Sequence, residues 1–273
     1  MLPVSDTSRR VNAERVVLAG WVRAILLQLA HPLIAAGVFE HSTFRGGAMS
    51  ALSRLHHTVT AMLALTFGDE GERDRALEAI RTIHRRVHGT LPSACGRFAA
   101  GTPYSAEDPE LLLWVHATLI DSILLAYDLL VTPLSDAERD RYCADSAEVA
   151  IALGARANDV PRCWRDLQEH LHREYESGSI AVCGQARDLA AALLSPVASR
   201  AAAPLAALAT LVAAGLLPPP IRRDYGLAWS RRRERAFGVT VGILRVARRV
   251  LPGVITSWPQ ARSHPRTPPP ISR

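Results

Sequence analysis

Residues 21–42 read WVRAILLQLAHPLIAAGVFEHS, an almost unbroken apolar stretch with a proline in its middle. Its Leu and Ala favour helix, and so few polar positions leave no wet face. Pro32 lacks a backbone donor and crowds the turn before it, so the run must kink or break just after His31. The chain therefore has to bury two helical pieces that meet at an angle, with a histidine at the corner. The rest of the sequence agrees. Hydrophobic residues make up 48% of the 273, but Phe, Trp and Tyr only 5%. Strands draw on aromatic and β-branched residues, so this balance points to an all-α, multi-helix globular domain. At roughly 150 residues per domain, the length allows one large domain or two small ones.

Helices are expected over residues 12–29, 48–67, 72–89, 107–131, 136–153, 161–175, 185–194, 201–216, 222–236 and 238–250. The 72–89 helix carries Ala76, Ile80, Ile83, His84, Val87 and His88 on related turns, a 3.6-residue period. Gly46-Gly47 marks a turn, Ser135 caps 136–153, and S-A-E-D at 105–108 reads as a capping box. Residues 90–108 read as a loop. The one weak strand candidate is 179–182. Residues 1–12 form a flexible lead, 13–255 the domain, and 256–273 a flexible tail rich in Pro and Arg.

Lys and Arg number 32 against 26 Asp and Glu, a formal charge of +6, with arginines crowding the C-terminal third. No recognised helix-turn-helix or aromatic platform accompanies them, so no nucleic-acid partner is expected. Peripheral membrane contact and a homodimer remain open. Residues 201–217 are apolar but shorter than the ~20 residues a span needs, so a buried or interface helix is the reading. The polar N-terminus has no apolar signal region, and Cys95, Cys143, Cys163 and Cys183 lack C-x-x-C spacing. Free thiols and a cytoplasmic location follow as expectations, with membrane association as the alternative.

Nucleotide-binding, zinc-protease and nucleophile-elbow motifs are absent from the sequence. Three clusters carry the remaining chemistry. Arg54, His57 and Thr58 share one face of a helix at i, i+3 and i+4. His84 and His88, at i, i+4 among Arg81, Arg85 and Arg86, suit an iron imidazole ligand with arginines for anionic groups, haem being one such partner. His116 shares a face with Ile120, Ile123 and Tyr127, while Asp121, five residues on, does not. An exposed polar stripe, an ordinary helix surface and a core histidine are the competing readings of the three. His31 and His41 flank the kinked segment. His170 and His172 read as surface, and His264 lies in the tail.

The chain resembles the MpaB-type oxygenase family, with latex-clearing protein as a distant relative. The residues that carry the resemblance are LLQLAHPLIAAGVFEHSTF at 26–44, RLHHT at 54–58, the His84/His88 segment, YSAEDPELLLWVHATLIDS at 104–122 and YGLAW at 225–229. The resemblance implies a helical fold around haem b, with one histidine holding the iron. In the relatives an Arg-x-x-Lys-Thr motif takes part in oxygen chemistry. Arg54, His57 and Thr58 match it, with His57 in place of the lysine. The relatives' spacing from motif to axial histidine lands on His88, the first choice as metal ligand, with His84 the alternate. His116, Arg54, Arg85 and His31 complete the expected cofactor surroundings. The function implied is oxygenase or peroxidase-like action on a small apolar substrate with dioxygen or peroxide and an unidentified electron donor. Alternatives are a haem carrier, sensor or bis-histidine electron-transfer protein, or a haem-free helical protein that binds lipid or a partner.

Overall fold

The computed structural model describes residues 4–41, 48–194 and 203–262, with the side chains of 48–56 and 203–205 outside that description. The Gly46-Gly47 turn, His264 and the end of the tail lie outside the described residues. The chain folds into one mostly helical domain.

The proline break is where the sequence puts it. Helix α2 (Leu18–Leu29) ends beside His31, and Pro32 opens α3 (Pro32–His41). The two segments bend by 104°. Proline at the first helical position loses no internal bond, because that N–H would have no partner anyway.

Helix α2 makes its most extensive contact with α6 (Pro109–Leu130), which Asp108 caps through the Glu110 N–H. Gly20 lets the two backbones meet: a Cβ there would lie 2.3 Å from the Ser122 carbonyl oxygen. Along this seam Trp114 Nε1 donates to the Leu27 carbonyl and the Tyr225 hydroxyl to that of Leu26. A buried ion pair, Arg23 Nη1 to Asp121 Oδ2 at 2.7 Å, is completed by Arg23 donating to Ser122 Oγ and the Leu216 carbonyl, and by Gln168 donating to Asp121. Both charges are thus paired and hydrogen-bonded, as buried charges must be.

Around this pair lie α4 (Ala48–Phe67), α5 (Glu70–His84), α7 (Asp136–Leu153), α8 (Trp164–Glu176), α9 (Gly184–Leu194) and α10 (Ala203–Leu216). The Ser135 cap holds as a full capping box with Glu138. A short α11 (Pro219–Asp224) leads into α12 (Arg231–Val250), and α13 (Gly253–Thr256) and α14 (Pro259–Arg262) follow. Helix α12 is continuous where two helices were expected; its exposed Gly238 gives up no packing and does not break it. Among the described residues only α6 is by itself long and apolar enough to cross a membrane, and 67% of its apolar window is buried inside the fold.

Of the expected lead and tail, the described parts, 4–12 and 256–262, pack against the domain. Residues 6–13 form α1 (Asp6–Ala13), capped by Ser5, with Val11 fully buried and Asn12 bonded to Thr66 and Tyr142. At the other end, Trp258 donates its N–H to the Ala13 carbonyl, Ser257 bridges to Glu14, and Arg248 pairs with Glu14. These contacts between opposite ends of the sequence order segments that look loose when read locally.

A correction bears on the site. The helix expected over 72–89 stops at His84, and His88 lies in β1 (His88–Thr90), antiparallel to β2 (Pro103–Ser105) with His88 opposite Ser105. Gly89 permits this pairing: a Cβ there would sit 2.6 Å from the Tyr104 hydroxyl, so the chain passes tightly over Tyr104. Ladder bonds from Ala106 to Val87 and from Leu91 to Thr102 extend the hairpin. The weak strand candidate at 179–182 is irregular instead.

Candidate functional site

Two apolar cavities lie against α5 and α6. The first, about 240 Å³, is walled by Ile34, Val38 and His41 of α3, Ile83 and His84 of α5, Tyr104 of β2, and Leu111, Leu112 and Val115 of α6. The second, about 190 Å³, is walled by Thr58, Met62 and Leu65 of α4, Ile80 of α5, His116, Leu119 and Ile120 of α6, and Asn12 and Tyr142. They share two walls: Ile83 of α5 faces the first and Ile80, one turn earlier, the second, while Val115 of α6 faces the first and the next residue, His116, the second.

His84 is the last residue of α5, aimed by that helix into the first cavity. Its Nδ1 is buried and has no hydrogen-bond partner among the described residues. Burial lowers its pKa below the usual imidazole value, with Glu107 opposing weakly, so it favours the neutral form that a metal requires. His41 faces the same cavity. Its Nε2 lies 3.0 Å from the His88 carbonyl oxygen, which can only accept, so Nε2 carries the proton and Nδ1 is the acceptor of the neutral ring. The Tyr104 hydroxyl donates to Glu40 Oε2 at 2.5 Å, and burial with that carboxylate raises its pKa.

The other sequence-expected residues scatter. His88 is exposed on β1. Arg85 is exposed and bonded to Glu78 and Thr82, and Arg81 is bonded to the Ala152 carbonyl. Thr58 and His116 line the second cavity together, whereas His57 is exposed on α4 and the Arg54 side chain lies outside the described residues. His116 is pushed down to about 4 by burial and then by His170. His170, read as surface, is in fact buried, because α8 packs that face on α6, and its Nε2 has no partner among the described residues. His31 is buried against Phe98, ring centroids 5.2 Å apart, and is also pushed down to about 4, by burial and then by Arg97. It lines neither cavity. Asp121 belongs to the Arg23 pair.

Tyr104, His41 and Gln28 line the first cavity without having been assigned a role from the sequence. Tyr104 stands in the 104–122 run that carries the family resemblance, the one signal that marked it. No group of three or more His, Cys, Asp or Glu suited to a metal occurs among the described residues.

A family model described as the catalytic domain of ER-bound oxygenase MpaB/B' and rubber oxygenase matches residues 8–249. The chain belongs to this family. The match runs from within α1 to the end of α12, so every residue named above as a wall of the two cavities lies inside it. Two similar relatives are uncharacterized proteins of Mycobacterium bovis and Mycobacterium tuberculosis, each 29% identical over 232 residues, covering 84% of this chain and 87% of the relative. No solved structure matches the chain significantly.

Proposed function

We propose that the chain is a haem b-dependent oxidoreductase, an oxygenase or peroxidase-like enzyme for a small apolar substrate, with His84 as the iron ligand. The observation that carries this reading is a neutral-leaning imidazole with an unpartnered buried nitrogen, facing an apolar cavity inside an oxygenase-family domain. Haem iron takes four ligands from its own ring and needs only one or two from protein, so a lone histidine would suffice as ligand. Neither cavity, at about 240 and 190 Å³, has room for the whole macrocycle as it stands, so binding would require the walls to open. His84 replaces the first choice, His88, because β-pairing turns His88 to solvent while α5 ends with His84 pointing inward. When bound, haem supplies one-electron chemistry and activation of dioxygen or peroxide.

The chain's own residues divide the remaining work. Leu111, Leu112 and Val115 exclude water from the His84 side. Tyr104, bonded to Glu40, and His41, bonded to the His88 carbonyl, can hold or pass a proton at the cavity edge. In the second cavity, Thr58 and a neutral His116 offer a few polar anchors among apolar walls, which suits an apolar substrate. On α4, Arg54 is assigned stabilisation of negative charge developing on an oxygen substrate, and His57 proton transfer. Arg85 is assigned no propionate contact, since Glu78 already holds it. The co-substrates are dioxygen or peroxide and an electron donor. A carrier or bis-histidine electron-transfer role is the second reading, favoured by His41 and His84 lining one cavity. The test is the Soret absorbance of protein produced with haem supply. The wild type shows a stoichiometric band that His84→Ala removes and His88→Ala retains; no band in the wild type would overturn haem binding altogether.

A further inference from the structure

Helix α12 packs one face on α10 and α6 and turns the other to solvent. The outward face is apolar. Val239, Ile243, Val246 and Val250 fall at i, i+4, i+7 and i+11, and are 62%, 62%, 59% and 73% exposed. The patch continues past the end of α12 into α13, where Val254 and Ile255 are 54% and 51% exposed. Scattered surface valines are ordinary, but a contiguous stripe of β-branched residues costs solvation and marks a surface that something covers.

The charges around the stripe say what covers it. At 100° per residue, Arg232 and Arg235 lie on the same face one to two turns before Val239, and Arg231 and Arg249 lie along one edge. All four are exposed, and none has an ion-pair or hydrogen-bond partner among the described residues. The helix has one acidic residue, Glu234, which accepts from Trp229. The 4-3-4 spacing would also suit a helix from a second copy, but that copy would bring further arginines and no acid to pair with them. An anionic surface with an apolar interior satisfies both features.

We propose that the outer face of α12, continued by α13, lies in the plane of an anionic lipid membrane, its β-branched residues entering the acyl boundary and its arginines meeting the headgroups. The inference does not rest on haem or on His84. The test is flotation of the full chain with phosphatidylcholine vesicles and with phosphatidylcholine–phosphatidylglycerol vesicles, with sedimentation velocity of the free protein beside it. The chain floats with the anionic vesicles, far less with the neutral ones, and less as salt rises. Ile243→Asn with Val246→Asn, both exposed and so expected to leave the thermal melt unchanged, lowers partitioning about tenfold or more, as does Arg235→Glu with Arg249→Glu. Failure to float, equal binding to both vesicle types, or undiminished binding of either double variant would overturn the proposal. So would a stable dimer that the apolar double variant dissolves.

Discussion

The α2–α6 seam and the corner around His84 are built from similar residues and treat polar groups in opposite ways. In the seam each buried polar side chain has its partner: Arg23 with Asp121, Ser122 and Leu216, Trp114 with Leu27, Tyr225 with Leu26. In the corner His84 and His31 each keep a buried nitrogen without one among the described residues, and beside His84 a cavity stays open. A satisfied polar group fixes a fold; an unsatisfied one in an apolar wall costs stability, so it is a candidate for work with a ligand. Lining, rather than burial alone, separates His84, which faces space, from His31, which faces Phe98.

The comparison breaks most readily at the ion pair. Asp121→Ala strands the Arg23 charge and is expected to cost about 3–5 kcal/mol in denaturant unfolding, while joint replacement by Arg23→Met and Asp121→Leu recovers most of it. A loss under about 1 kcal/mol for Asp121→Ala would mean the seam is not held this way.

Acid probes the histidines next. His31 and His116 titrate near 4 in the fold and near 6.5 when unfolded, so the unfolded chain binds protons first. Stability is therefore full above pH 6.5 and falls as pH drops from there toward 4, by up to about 3 kcal/mol for each. His84 and His170 shift in the same direction and add to the slope. Urea midpoints across this range measure it, and His31→Leu flattens the curve. A midpoint that stays level from pH 7 to 4.5 would show these rings to be wetter than described. At the small end, His88→Ala changes stability by less than about 0.5 kcal/mol, as for other exposed positions.

Where local signals decide, the fold is legible in the sequence. Pro32 fixes the α2–α3 break, Ser135 and Glu138 fix the start of α7, and Leu- and Ala-rich runs become buried helices. The failures arise where distant residues decide. Tyr104, sixteen residues after His88, passes over Gly89 and draws 88–90 into a hairpin that the helical period of 72–89 cannot announce. Asn12 becomes structural only through Thr66 and Tyr142, and His170 is buried only because α8 lies on α6. The site divides the same way. Family spacing pointed to His88, which the structure places in β1 rather than α5; the proposal of His84 in its stead comes from the residue at which the helix stops.

That choice is also where the account is most directly exposed. Haem titrated into purified wild type, His84→Ala and His88→Ala and followed in the Soret region decides it. Saturable, stoichiometric binding by the wild type and His88→Ala, with none by a folded His84→Ala, is the predicted result; binding lost in His88→Ala and kept in His84→Ala would contradict it.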